Sequence, residues 1–352
     1  MTKLRHQSLT AYEAPLRETL VECPQPRGTE VLVRTTHCGV CHSDLHIRDG
    51  YFILGEGKKL DVRSGRALPF TLGHEIAGVV EETGPAAEGV TRGASVAVYP
   101  WIGCGACAAC GRQEENICAA PRHLGINVDG GFATHVIVAH PRYLLGHALV
   151  RPAFAATLMC SGLTAYAALK RLAAAAQLGP ILLVGMGGVG MMGLALARKL
   201  FGQAPLVVDV DAIKRTAALA AGAAHAFDPN DPGARKALLA NTNGGVYGAC
   251  DFVGSDRSLA FATGALAKGG KVVVTGLFGG SFSIPVAMFG LKAITIEGIQ
   301  TGTLAEAREV LDIARERELA FPPISERPLS DAQAALEDLK AGRVVGRIVL
   351  TA

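Results

Sequence analysis

The stretch Ile181-Leu-Leu-Val-Gly-Met-Gly-Gly-Val-Gly190 decides the fold. Four apolar residues read as a buried strand, Gly185, Gly187 and Gly190 as a tight turn, and the run VGMMGLALARKLF as the helix that leaves it. The next apolar run, PLVVDVD, carries Asp209, which stands 19 residues after Gly190. Glycines at these positions let the backbone and the helix N-terminus approach a pyrophosphate, while a carboxylate at the end of the second strand meets a ribose hydroxyl. A lone GxGxxG is weak evidence and is often only a glycine-rich turn; strand, turn, helix, strand and acidic residue together are much more specific.

Working outward, apolar strands continue to alternate with helical stretches: AIKRTAALAAGA, AHAFDP, NTNGGVYGACDFVG, LAFATGALAKGG, KVVVTGL and LKAITIEGI. Six strands with intervening helices predict a doubly wound parallel sheet, an α/β architecture. Upstream, from about residue 28 to 150, the pattern changes to short β-branched runs broken by Gly and Pro (EVLVRTT, IAGVVEETG, ASVAVYP, GFATHVIVAH), which reads as an irregular all-β domain. The last fifty or so residues hold a charged helix TLAEAREVLDIARERE, a turn at FPP, a helix DAQAALEDLKAG and a strand RVVGRIVLT. That strand is expected to return to the first domain. No internal repeat or low-complexity segment is evident.

A chain of 352 residues exceeds what one core usually serves, which favours two domains. The 34 basic and 31 acidic residues leave a net charge of only +3, which argues against a nucleic-acid groove. The N-terminus lacks an apolar h-region, and the apolar stretches are broken by Gly or charge short of a membrane span, so a cytoplasmic protein without a membrane partner is expected. Nine cysteines in that setting point to metal rather than disulfides.

The densest cysteine signal is Cys104-Gly-Ala-Cys107-Ala-Ala-Cys110, with Cys118 after seven more residues. Four thiolates this close wrap one tetrahedral zinc as a closed site; an iron–sulfur cluster uses the same ligands. A second constellation is scattered: Cys41 in CGVCHSDLH, His74 with Glu75 in LPFTLGHE, and Cys160 in LMCSGLTAY. Singly these are ordinary core residues. Together two thiolates and an imidazole suit a catalytic zinc with one open position.

With GVCHSDLH at 39–46, GHE at 73–75, the four-cysteine lobe at 104–118, LMCSGLTAY at 158–166, the GMGGVG turn at 185–190 and Asp209, the chain resembles the zinc-containing medium-chain alcohol dehydrogenases, most closely the bacterial and yeast-type members. The resemblance covers nearly the whole chain. It implies a GroES-like β catalytic domain at 1–152, a Rossmann domain at 153–296, and a segment at 297–352 that completes the catalytic domain. It also implies two zinc ions per chain, one catalytic and one structural, with NAD as cofactor and a small alcohol, aldehyde or ketone as substrate. By analogy it implies a homo-oligomer, tetramer or dimer.

Carried over by position, Cys41, His74 and Cys160 are similar to the catalytic zinc ligands, whereas Cys38 is not at a ligand position. Cys104, Cys107, Cys110 and Cys118 match the structural set. Glu75 matches the carboxylate behind the zinc and Asp44 the partner that orients the liganding imidazole. Ser43 matches the hydroxyl beside the substrate oxygen, and His46 the base at the far end of a proton relay through the cofactor ribose. His42 and Arg347 fall at pyrophosphate-contact positions, Gly185, Gly187, Gly188, Val189 and Gly190 form the cofactor turn, and Lys214 matches a residue near the adenosine ribose. Of Lys214 and Arg215, which follow Asp209, at least one is expected to point to solvent.

Two departures stand out. Gly93-Ala94-Ser95-Val96 lacks the acidic–basic pair of the family's GDRV turn, and the segment 49–72, DGYFILGEGKKLDVRSGRALPFTL, is longer than in yeast-type relatives. The second withholds a substrate assignment, because the segment is expected to lie as a lid near the substrate cleft. Trp101 and Tyr51, beside the cysteine and histidine motifs, are the expected pocket aromatics. The competing readings are a zinc-free quinone or enone reductase on the same fold, which would lack the ligand sets, and a nicotinamide- or zinc-binding protein without catalysis.

Overall fold

A computed structural model describes residues 3–316, 319 and 321–352. The six-strand expectation is met. Ile181–Val184, Leu206–Val208, His225–Phe227, Val246–Asp251, Leu266–Val274 and Thr295–Gly298 form one parallel sheet, with the glycine-turn strand at its centre between Leu206–Val208 and Val246–Asp251. The near-continuous Val, Ile and Leu of the central strands follow from burial on both faces. Helix Gly188–Phe201 starts at the third glycine of the turn and stops at Gly202, whose φ of 64° is the left-handed conformation that glycine takes without strain.

The first domain is built on a seven-stranded sheet in which Val31–Gly39 is flanked by Glu75–Thr83 and Arg347–Thr351, with His135–Val138 paired to it off the main path. The terminal strand does return: Val349, Leu350 and Thr351 register antiparallel against Gly39, Cys38 and His37. Three strands were not legible in advance. Lys3–Leu9 and Arg17–Glu22 form an antiparallel pair, and Ile324–Pro328 lies parallel to the terminal strand. The charged helix spans Leu304–Arg315 behind a Thr303/Glu306 capping box; the expected continuation over 317–318 lies outside the described residues.

The chain from Pro152 to Lys170 corrects the expectation that every apolar stretch falls short of a membrane span. It is 19 residues long and apolar enough to pass by length and composition, and 89% of its apolar window is buried within the protein. It is a core helix, Pro152–Thr157 and Leu163–Lys170, interrupted by one π turn over Leu158–Gly162. A single large core runs from the first domain through this helix into one face of the parallel sheet; a second cluster, including Leu182, Val184, Leu206 and Val272, fills the other face.

Candidate active site

Cys41 caps the helix His42–Asp49, and Asp44 sits three residues on, so that its Oδ2 accepts from the Cys41 backbone N–H at 2.9 Å. The other oxygen of this fully buried carboxylate accepts from Gly73 N–H at 3.3 Å and faces His74 Nδ1 at 3.2 Å. A local helix cap thereby orients an imidazole thirty positions away. His74 Nε2 is buried without a hydrogen-bond partner. Cys160 arrives on the π turn, an irregularity that recurs at functional sites, and its Sγ lies 4.0 Å from Cys41 Sγ.

One ligand atom from each of Cys41, His74, Glu75 and Cys160 falls within 4.8 Å of the others, all four residues being buried. The facing Cys160 thiol, followed by His74, holds the Cys41 thiol well below its usual range against the opposing effect of burial. Two thiols, one inclined to ionise, and an unpartnered imidazole nitrogen make a donor set that fits zinc. Trp101 walls the cluster: its ring centroid is 5.5 Å from His74, and its indole N–H donates to the Met159 carbonyl at 3.0 Å. Cys38 is buried outside the cluster, against Gly73 and Gly131.

Arg347 links this cluster to the glycine turn. Its guanidinium pairs with Glu75 Oε2, and a Cβ placed on Gly188 would lie 2.5 Å from Arg347 Cδ and 2.6 Å from its NH1. Burial raises the Glu75 carboxyl to about 7, with Arg347 pulling the other way. The ion pair was invisible in the sequence because 272 positions separate its partners. Arg347 Nε is buried and unpartnered, facing the turn where the pyrophosphate position was expected, so the residues present fit such a group. Gly190 is obligatory for a different reason: its Cβ would stand 1.8 Å from the Gly185 carbonyl oxygen.

Asp209 accepts from Met186 N–H at 2.6 Å and from Asp211 N–H at 2.8 Å, which holds its carboxylate over the turn. Neither of the following cations points to solvent as expected. Arg215 donates to the Asp209 carbonyl at 2.8 Å and pairs with Asp228 at 3.2 Å, while Lys214, also half-buried, lies 4.0 Å from Asp211. His42 is exposed at the start of its helix, within electrostatic range of Arg347 and Lys214. Ser43 Oγ lies 3.9 Å from Cys41 Sγ. His46, half-buried four residues on from His42, has its protonation disfavoured first by burial and then by His42.

The four-cysteine lobe closes on itself. Cys107 Sγ lies 3.6 Å from Cys110 Sγ and 3.7 Å from Cys118 Sγ, and the Cys104 and Ala120 N–H groups point at Cys118 Sγ at 3.2 and 3.3 Å. N–H groups from Cys110 and Ala119 lower the Cys107 thiol to about 6, as suits a thiolate ligand. The segment 49–72 holds a hairpin, Tyr51–Gly55 with Lys58–Asp61. Its basic residues are engaged: Lys58 with Glu56, Lys59 over the Tyr51 ring, Arg63 with Asp61, and Arg66 with the Val62 and Ile126 carbonyls.

The family model for the alcohol dehydrogenase GroES-like domain matches residues 27–146, and that for zinc-binding dehydrogenases matches residues 188–316. An NAD-dependent alcohol dehydrogenase of Saccharolobus solfataricus is 35% identical over 353 residues, 99% of each chain. The solved alcohol dehydrogenase of Aeropyrum pernix superposes with a TM-score of 0.87 at 30% identity, covering 99% of this chain and 100% of its own. The D-arabinose dehydrogenase of Sulfolobus solfataricus superposes at 0.86 with 25% identity over the whole of both chains. Matching domains in this order, full-length relatives, and a thiol–imidazole cluster joined to a dinucleotide-type turn lead to one conclusion: the chain belongs to the zinc-containing medium-chain alcohol dehydrogenases, oxidoreductases that act on CH–OH groups.

Proposed function

We propose that this chain interconverts a small primary or secondary alcohol and its carbonyl with NAD, and that it holds two zinc ions. The observation that carries the reading is the buried cluster of Cys41, His74, Glu75 and Cys160, joined through Arg347 to the glycine turn. Cys41, His74 and Cys160 would hold the catalytic ion with Glu75 behind it, and the four lobe cysteines the structural ion. The catalytic zinc supplies Lewis acidity of the kind that lowers the pKa of water from about 15.7 to roughly 7, and the nicotinamide supplies the hydride acceptor.

The protein's own groups do the rest. Asp44 fixes the ring orientation of His74, since its oxygens are tied to two backbone N–H groups. Ser43 takes the substrate's hydroxyl proton, and His46 delivers it towards solvent. His42, Arg347 and the 185–190 turn hold the pyrophosphate. Asp209 holds the adenosine ribose and repels a 2′-phosphate; the engagement of Arg215 with Asp228 leaves that cation unable to compensate. Homo-oligomeric assembly is our reading of the sheet edge Thr295–Gly298, which has exposed Val286 and Leu291 just before it.

The test is a steady-state panel of primary, secondary and aromatic alcohols with NAD and NADP, run with and without chelator and accompanied by metal analysis. The expected result is two zinc ions per chain, turnover lost on chelation, and NAD preferred on the order of 10²-fold. One zinc per chain would remove one of the two sites. Equal or better kcat/KM with NADP would overturn the role of Asp209.

A further inference from the structure

The hairpin Tyr51–Asp61 grows directly out of the helix that carries His46. Gly50, with a φ of 81°, ends that helix and donates its N–H to the His46 carbonyl at 2.8 Å, and Val62 N–H closes the hairpin's base on the Gly50 carbonyl at 3.0 Å. The Phe52 ring turns inward onto the His46 imidazole, with centroids 4.6 Å apart and planes inclined by 31°. The neighbouring Ile53, Leu54 and Leu60 remain about half exposed.

The far end of the hairpin rests on the other domain. A Cβ on Gly55 would lie 2.6 Å from the Gly280 carbonyl carbon and 2.7 Å from the Ser281 nitrogen, and a Cβ on Gly279 would lie 2.2 Å from the Ile53 carbonyl oxygen. Two backbones approach this closely only where glycine removes the side chains. The 279–281 loop follows the strand Leu266–Val274, at the carboxyl ends of the parallel strands, the side on which open α/β sheets bind ligands.

We infer that Phe52 is a positioning residue for His46, and that the glycine seam between Gly55 and Gly279–Ser281 sets its position from the cofactor domain. The inference rests on the proposed role of His46 as the outer base of the relay. This tilted ring contact fixes the imidazole's rotamer and covers one of its faces, so the base is aligned only while the hairpin is seated on the 279–281 loop. The charged groups near His46 are few. Its own helix contributes His42, the capping Cys41, and Asp49, which Arg48 engages at 2.8 Å and Lys340 of the packed helix Ala332–Lys340 at 3.8 Å. On the hairpin, Lys59 is taken up by Tyr51 and Asp61 by Arg63, and on the cofactor domain Asp256 adjoins Gly280.

The experiment compares pH profiles of kcat for alcohol oxidation in wild type, Phe52→Ala, Phe52→Tyr, Gly55→Ala and His46→Gln, each as the metal-loaded enzyme. Phe52→Ala should lower kcat about 10-fold at neutral pH, a part of the general acid–base contribution of roughly 10²–10⁴, because His46 is misplaced and not removed. It should also move the acid limb to higher pH, because an uncovered imidazole protonates more readily. Phe52→Tyr should restore both, Gly55→Ala should reproduce the limb shift without touching the ring, and added imidazole should rescue Phe52→Ala and His46→Gln alike. If His46→Gln abolishes the limb while Phe52→Ala and Gly55→Ala leave it in place, the positioning role is wrong. If His46→Gln itself leaves the limb unchanged, the relay reading fails first.

Discussion

The two thiol clusters of this protein use the same chemistry in opposite surroundings. The lobe ligands lie within fifteen residues, and Cys104 among them is exposed; the second cluster draws Cys41, His74 and Cys160 from three distant segments and buries all of them. A contiguous, surface-facing set can close around an ion by local turns alone, and its contribution is folding free energy. The dispersed set exists only once a helix cap, a strand end and a π turn have been brought together, and burial gives it the low dielectric in which charge stabilisation counts. On the proposed reading, the same ligand type serves stability in one place and reactivity in the other.

Removing one ligand from each cluster is the sharpest way to break this contrast. His74→Ala should cost more than about 10³-fold in kcat, since several kcal/mol of Lewis-acid stabilisation are lost at about 1.4 kcal/mol per decade. The thermal midpoint should change less than for a lobe variant, and turnover within tenfold of wild type would sink the assignment. Asp44→Asn keeps the shape of the cap but removes the charge facing His74. A fall of about 10–100-fold in turnover or metal affinity is expected, read by steady-state kinetics beside a zinc titration.

Cys107→Ser should act on the fold. A loss of about 3 kcal/mol, at roughly 2–4 °C per kcal/mol for a domain of this size, lowers the midpoint by about 10 °C in a calorimetric scan. The kcat of the molecules that remain folded should hardly move. If kcat falls as far as in His74→Ala, the division of labour between the two clusters is wrong.

An effect confined to acid pH concerns the wall between the clusters. Trp101 packs on His74 on one side and edge-on against His123 on the other, at 5.3 Å, and His123 Nε2 lies 3.5 Å from the Glu115 carbonyl of the lobe. Burial depresses the His123 pKa to about 4. The unfolded chain, with an imidazole near 6.5, binds the proton first, so the contribution is intact above pH 6.5 and is lost as pH falls from there towards 4. It amounts to on the order of 2–3 kcal/mol. In His123→Leu the drop in stability between pH 6.5 and 4 should be shallower, which urea titrations at the two pH values would show; an unchanged slope would mean that other groups set it.

What could be read from the chain alone were the features written in short-range order. The strand–glycine–helix–acid series from Ile181 to Asp209 specifies its own backbone geometry, and the CxxCxxC spacing with Cys118 specifies a closed tetrahedral cage. Family resemblance then supplied the ligand set, but the residues themselves held no sign of how it is supported. The Glu75–Arg347 pair, the packing of Trp101 against His74, the π turn that presents Cys160, and the Phe52–His46 contact each join segments that share no periodicity or spacing. The orientations of Lys214 and Arg215 failed for the same reason: a helix position says which face a cation occupies, and only the neighbouring strand, which brings Asp228 alongside, decides that Arg215 is engaged. Local sequence determines backbone turns because their energetics are local; side-chain partners across the core are set by packing, which exists only after the chain has closed on itself.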